Sequence, residues 1–146
     1  MVKIRFKKLH PNAVIPTRAT EGSSGYDITA LDMKSSTDVE KGIYIEYRTG
    51  LAIEVPKGYE AVIRPRSSIR SKNVEFMFRN APATIDSDYR GELVIIFTKP
   101  RRGPVYAPGD RVAQLVIQKT LDVEFEEVDE LSATKRGEEG FGSTGT

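Results

Sequence analysis

The sequence predicts an all-β protein, a sandwich or barrel of short strands with one short helix and a glycine-rich tail. Three observations carry this. Apolar and polar residues alternate at period two through much of the chain. Turn signals punctuate it at Gly42, Gly50, Pro56-Lys57-Gly58, Gly103-Pro104 and Pro108-Gly109. No repeat or linker divides the 146 residues, a length that suits one domain.

The elements follow in order. Val2, Ile4 and Phe6 alternate with Lys3 and Arg5. A strand starts within residues 24–28. Ile43, Ile45 and Tyr47 make another strand, and Leu51, Ile53 and Val55 a further one beyond the turn at Gly50. Residues 67–73 fit one short helix with Ser67 as its N-cap. Val74, Phe76 and Phe78 alternate again. Residues 93–97 and 112–117 are continuous apolar runs, expected to be strands covered on both faces. Val123 and Phe125 give a last strand pattern that extends to Glu127.

Composition removes several chemistries. Net charge is +1, from 22 basic and 21 acidic residues, so no field draws nucleic acid or membrane. There is no cysteine, hence no thiolate nucleophile and no cysteine zinc site. The one histidine, His10, stands beside Pro11, far from the other polar clusters. Catalysis must run on carboxylates, hydroxyls, amides, arginines and borrowed metal. No apolar run reaches membrane-spanning length and the N-terminus lacks secretory character. A soluble cytoplasmic protein is expected, or a nuclear one if eukaryotic or viral.

The tail, residues 137–146, holds four of the twelve glycines and no apolar residue except Phe141. It has nothing to bury. Glycines let backbone N–H groups converge on an anion, Arg136 adds a fixed charge, and Phe141 offers a face for a base. Either this is a frayed terminus or a lid that orders over a nucleotide.

Four clusters interrupt the strand pattern. Ser-Gly-Tyr-Asp-Ile at 24–28 sets Asp27 after a glycine turn, which is either an ordinary turn acid or a functional one. Arg-Pro-Arg-Ser-Ser at 64–68 sets hydroxyls and arginines at a helix start, as a plain cap or as a phosphate site. Residues 85–92, Ile-Asp-Ser-Asp-Tyr-Arg-Gly-Glu, pack acids, a tyrosine and an arginine between hydrophobic strands, more than a hairpin needs. A bend at 80–84, Asn-Ala-Pro-Ala-Thr, precedes it and suits reading the edge of a base. Gly-Asp-Arg-Val-Ala-Gln-Leu at 109–115 puts Gln114 inside an apolar run, bonded structurally or aimed at a ligand.

In this order and spacing, these clusters and the tail resemble the five motifs of trimeric dUTP diphosphatases (dUTPases). The resemblance implies a jelly-roll-like β domain over 1–135, and a tail, 136–146, that closes over an active site. It implies a homotrimer whose three sites are built from more than one subunit. The implied reaction is dUTP plus water giving dUMP and diphosphate with Mg2+, which keeps dUTP low and supplies dUMP for thymidylate synthesis.

By the same resemblance Asp86 orients and deprotonates the water and holds the 3′-hydroxyl. Tyr89 lies against the deoxyribose and leaves no room for a 2′-hydroxyl. Asn80 and nearby backbone read uracil, beside Ile85. Arg66, Ser67, Ser68 and Gln114 hold the phosphates, with Gln114 also near the water. Arg136 and the tail N–H groups, including those of Gly142 and Ser143, take the γ-phosphate, and Phe141 stacks on uracil. Asp27 is an outer-shell partner of the magnesium ion, through water. Asp88, Arg90, Tyr26 and Arg111 are read as structural.

Three positions depart from the pattern. Ala83 stands where the bend usually has glycine, so its methyl group is expected to crowd the pocket or shift the backbone. Glu139 replaces a tail glycine and brings a carboxylate towards the triphosphate. Ser68 stands where many members have glycine. Of the alternatives, dCTP deaminase shares the fold and an Arg-Ser-Ser motif, but its catalytic glutamate would fall in 93–97, which holds no acid. A non-catalytic nucleotide-binding trimer would not need Asp86 together with a complete tail.

Overall fold

A computed structural model describes residues 1–37 and 42–138. The described residues form eight strands in two four-stranded antiparallel sheets, a jelly-roll-like sandwich. In the first sheet β4 (Tyr44–Glu54) is central. Along one edge runs β7 (Glu92–Thr98), and β3 (Asp32–Ser36) and β1 (Arg5–Lys8) share the other edge end to end. The second sheet runs β2 (Tyr26–Thr29), β8 (Arg111–Lys119), β5 (Tyr59–Arg64), β6 (Ala83–Ile85). Ile45, Tyr47, Ile53, Leu93, Ile95 and Phe97 of the first sheet meet Ile28, Ala61, Ile63, Ala113 and Leu115 of the second in one core. Each large side chain removed from water there contributes roughly 1.5–3 kcal/mol.

The two strands expected around Gly50 are one. Gly50 takes φ +66°, and the register against β7 shifts between Arg48 and Ala52. A positive φ serves a bulge as well as a turn. Side chains satisfy the groups the bulge frees: Thr49 Oγ1 donates to the Leu93 carbonyl at 2.7 Å, and Gly50 N–H donates to Glu92 Oε1 at 2.7 Å. The strand therefore continues.

Residues 74–78 are not a strand. They form a turn with one bridge, Phe78 to Phe97, and Val74 is 91% exposed. The alternation arises because Phe76 and Phe78 both stack on Phe97, with ring centroids 4.4 and 4.9 Å away. The helix expected at 67–73 is a 3₁₀ segment, Ser67–Ser71, whose N-cap is Arg66 and not Ser67. At the N-terminus pairing begins at Arg5; Ile4 and Phe6 pack on the core while Val2 is exposed.

The last expected strand is also absent: Val123 and Phe125 carry no regular structure and are exposed. Nor are the apolar runs covered on both faces. Val94, Ile96 and Val116 stay half-buried because one chain supplies only the sandwich interior. Three strands lacked a clear pattern, namely β3, with only Met33 apolar, the short β6, and β5. No helix among the described residues is long and apolar enough to cross a membrane.

Candidate functional site

The register of the second sheet lines up the polar residues. Asp27 pairs with Gln114 and Gln114 with Arg64, so the three share one face. That face is the outer one, because Ile28, Ala113, Leu115 and Ile63 turn to the core. Beyond Arg64 the chain leaves the sheet through Pro65 into the turn that carries Arg66, Ser67 and Ser68.

Asp27 organises this end. Its side chain is 12% exposed. Arg66 Nε donates to Oδ1 at 2.7 Å and Arg111 Nη1 donates to Oδ2 at 3.0 Å. Arg66 Nη1 also reaches Ser68 Oγ at 3.3 Å and the Arg111 carbonyl at 3.4 Å. Ser68 Oγ in turn lies 2.9 Å from the Tyr106 hydroxyl. Ser67 is exposed beside them. Gln114 is held as well: its Nε2 donates to the Pro65 carbonyl at 2.9 Å. Its Oε1 lies over Gly25, where a Cβ would collide with it. Gly25 is thus a glycine for close approach. Gln114 and Arg64 border a groove of about 1040 Å³ that continues past Val62, Gln118, Met77 and Phe78.

The acidic hairpin lies elsewhere. Ile85 ends β6 and its side chain packs, partly buried, against the core. Ala83 packs there too, partly buried. Asp86 follows, exposed, and its carboxylate has no hydrogen-bond or ion-pair partner among the described residues. Tyr89 N–H closes a turn on the Asp86 carbonyl at 3.1 Å. The Tyr89 hydroxyl folds back to the Glu92 carbonyl at 3.0 Å. A Cβ at Gly91 would strike that hydroxyl, so Gly91 clears its path. Arg90 braces the hairpin through the carbonyls of Ser87 and Tyr89, at 2.7 and 2.8 Å.

The amide of Asn80 is committed. It donates to the Val94 carbonyl and accepts from Ile96 N–H, both at 2.9 Å, which fastens the bend to β7. The bend contains a cis Ala81–Pro82 bond. Arg136 lies in the described part of the C-terminal segment. Phe141, Gly142, Ser143 and Glu139 lie outside the described residues.

One chain does not bring all these groups together. β6 pairs with β5 at Ile85–Ala61, whereas Gln114 pairs with Arg64. Asp86 is one residue beyond its pair, in the opposite direction from Arg66. Asp27, to which Arg66 is bonded, stands on the row of Arg64, so four rows separate that cluster from Asp86, roughly 13 Å along the sheet. The cluster around Asp27 and the acidic hairpin are therefore separate in one chain.

Sequence reading missed Tyr106, an aromatic in a loop with no motif to mark it. It also missed Arg111 as the second partner of Asp27, although Arg111 lies inside a quoted cluster.

No three His, Cys, Asp or Glu side chains gather to hold a metal among the described residues. Both Asp27 oxygens accept from arginines. This donor set suits an ion carried in on a polyphosphate, not a cage built by the protein.

The chain matches the dUTPase family model over residues 11–145. It is 44% identical over 149 residues to the deoxyuridine 5′-triphosphate nucleotidohydrolase of Anaplasma marginale (strain St. Maries), with 100% of each chain covered. Among solved structures it resembles the dUTPase of Staphylococcus bacteriophage 80alpha with dUPNHPP. The TM-score is 0.78 and the identity 26%, over 99% of both chains. It also shares its fold with the dUTPase of phage phi11 of S. aureus, a structure describing coordination of a structural Mg(II) ion. There the TM-score is 0.70 and the identity 22%, over 88% of this chain and 97% of that one.

Proposed function

The chain belongs to the dUTPase family, and we propose that it hydrolyses dUTP to dUMP and diphosphate. One observation carries the reading furthest. Arg66, Ser68 and Gln114, which the motifs assign to phosphate, converge around Asp27 at one end of the second sheet. A cytoplasmic location belongs to the same reading.

Arg66, Ser67, Ser68 and Gln114 hold the triphosphate. Asp86, a carboxylate with no partner among the described residues, orients a water and takes its proton. The water oxygen bonds to the α-phosphorus as the α–β bridging P–O bond breaks, and diphosphate leaves. Asp86 also holds the 3′-hydroxyl. Tyr89, braced on the Glu92 carbonyl, lies against the deoxyribose and excludes a 2′-hydroxyl. With the Asn80 amide tied to β7, uracil is read by backbone groups of the bend and of the strand entered at Ile85. Residues 136–146 close over the site: Arg136 and the N–H groups of Gly142 and Ser143 take the γ-phosphate. Phe141 stacks on uracil, worth roughly 1–3 kcal/mol. Mg2+ carried in on the triphosphate would offset its charge, and Asp27 would hold it as an outer-shell partner.

The site is shared between copies, in a homotrimer. Two features support this. The separation of Asp86 from Arg66 calls for a second chain to supply one of them. Leu121, Val123 and Phe125 alternate as in a strand but are exposed, with no strand partner among the described residues. A neighbouring copy would cover them, along with the outward faces of Val94, Ile96 and Val116.

The test is diphosphate release from dUTP, UTP, dTTP and dCTP, each with magnesium. Rapid release from dUTP alone is expected. No release from dUTP would overturn the reading, and ammonia from dCTP would place the chain with the deaminases.

A further inference from the structure

We propose that Tyr106 is a positioning residue for Arg66, acting through the hydroxyl of Ser68. The inference rests on the reading of Arg66 as a phosphate-binding group. A guanidinium offers five N–H donors in one plane. Here Nε is taken by Asp27, and Nη1 faces Ser68 Oγ and the Arg111 carbonyl. Nη2 has only a long contact to Asp27, 3.5 Å. The plane is held from two sides, and the least engaged nitrogen is left to meet an anion. An arginine fixed beforehand loses little rotamer entropy when the ligand arrives.

One of the two holds is a serine hydroxyl, which rotates freely unless something fixes it. Tyr106 does so at 2.9 Å. Tyr106 is only 4% exposed. Its ring packs edge-on against Tyr47, Phe76 and Phe97. Its carbonyl accepts from the Tyr47 hydroxyl at 2.7 Å. On another side the Lys72 ammonium sits 4.6 Å from the ring centroid and donates to the Val105 carbonyl at 3.2 Å. The phenol is thus anchored in the core and presents its oxygen to the phosphate turn. This gives the hydroxyl of Ser68 a use.

The test uses the full-length protein with Tyr106→Phe, Ser68→Ala and the double variant, beside Arg66→Gln as reference. The readouts are kcat and KM on dUTP, affinity for a non-hydrolysable dUTP analogue, and inhibition by deoxyuridine, which has no phosphate. Each single change is expected to weaken the analogue and raise KM about three- to tenfold, the range of one hydrogen bond. For Tyr106→Phe kcat and deoxyuridine inhibition should barely move, and the double variant should be no worse than the weaker single. The proposal is overturned if both singles bind the analogue normally, if their losses simply multiply, or if deoxyuridine weakens equally. Should Arg66→Gln itself bind the analogue normally, the reading of Arg66 fails and the proposal with it. Should Arg66→Gln bind weakly while Tyr106→Phe and Ser68→Ala are normal, only the positioning role fails.

Discussion

Asp86 and Arg66 stand at opposite ends of β5. The pairing of β6 to β5 carries the hairpin one way, and the exit of the chain through Pro65 carries the arginine the other way. Each end is well formed alone: the arginine is locked on Asp27, and the hairpin is closed by Tyr89 and Arg90. The proposed reaction uses both, and the proposed trimer would bring them together from two chains.

Sugar selectivity should depend on how Tyr89 is held. Tyr89→Ala should raise kcat/KM for UTP relative to dUTP by at least roughly tenfold, the effect of losing a steric block. Gly91→Ala should do much the same, since a Cβ at Gly91 would push the hydroxyl away from Glu92. Paired assays on dUTP and UTP check both, and a variant that still rejects UTP fully would remove Tyr89 from this role.

The tail should be dispensable for folding and needed for turnover. Chains ending at residue 135 should keep their oligomeric state and melting temperature, yet lose on the order of a hundredfold in kcat/KM, as expected when a closing segment is removed. Sedimentation and diphosphate release measure the two halves of this statement.

Asp27 should matter for both stability and binding. Asp27→Asn removes the charge between Arg66 and Arg111 and leaves two cations facing each other. A loss of about 1–3 kcal/mol in stability is expected for a largely buried charge-assisted pair, together with a higher KM for dUTP. Denaturant unfolding and steady-state kinetics on one preparation check it.

Alkaline stability should report on Tyr47. Burial pushes its phenol well above the usual tyrosine range. In the unfolded chain a tyrosine releases its proton near pH 10, whereas folded Tyr47 keeps it. The folded state then binds more protons, so stability falls as pH rises through about 10. Tyr47→Phe should flatten that part of the pH profile. It should also cost about 1–3 kcal/mol at neutral pH, because the buried Tyr106 carbonyl loses its donor.

Much of this was legible in the sequence. Period-two alternation located the two halves of β4, which bury one face, and continuous apolar runs located β7 and β8. It failed at Val74, Phe76 and Phe78, where stacking on Phe97 imitates a strand without a ladder. It also failed at Gly50, where side chains of Thr49 and Glu92 turn an expected break into a bulge. At Val123 and Phe125 the pattern has no strand partner among the described residues. The candidate site residues stood out as motifs because acids, arginines and glycines crowd where a hairpin needs few. Their arrangement was not: the pairing of Asp27 with two arginines, the commitment of Asn80 to β7, and the reach of Tyr106 to Ser68 all depend on long-range register.

The shared site is tested most directly by mixing two disabled chains. Asp86→Asn and Arg66→Gln should each be folded and nearly inactive. Unfolded together and refolded as mixed trimers, they should recover about a quarter of the normal activity, since each mixed ring regains one intact site of three. Recovery near that level would establish that Asp86 and Arg66 serve one site from different subunits. Mixed trimers that form but stay inactive would contradict it.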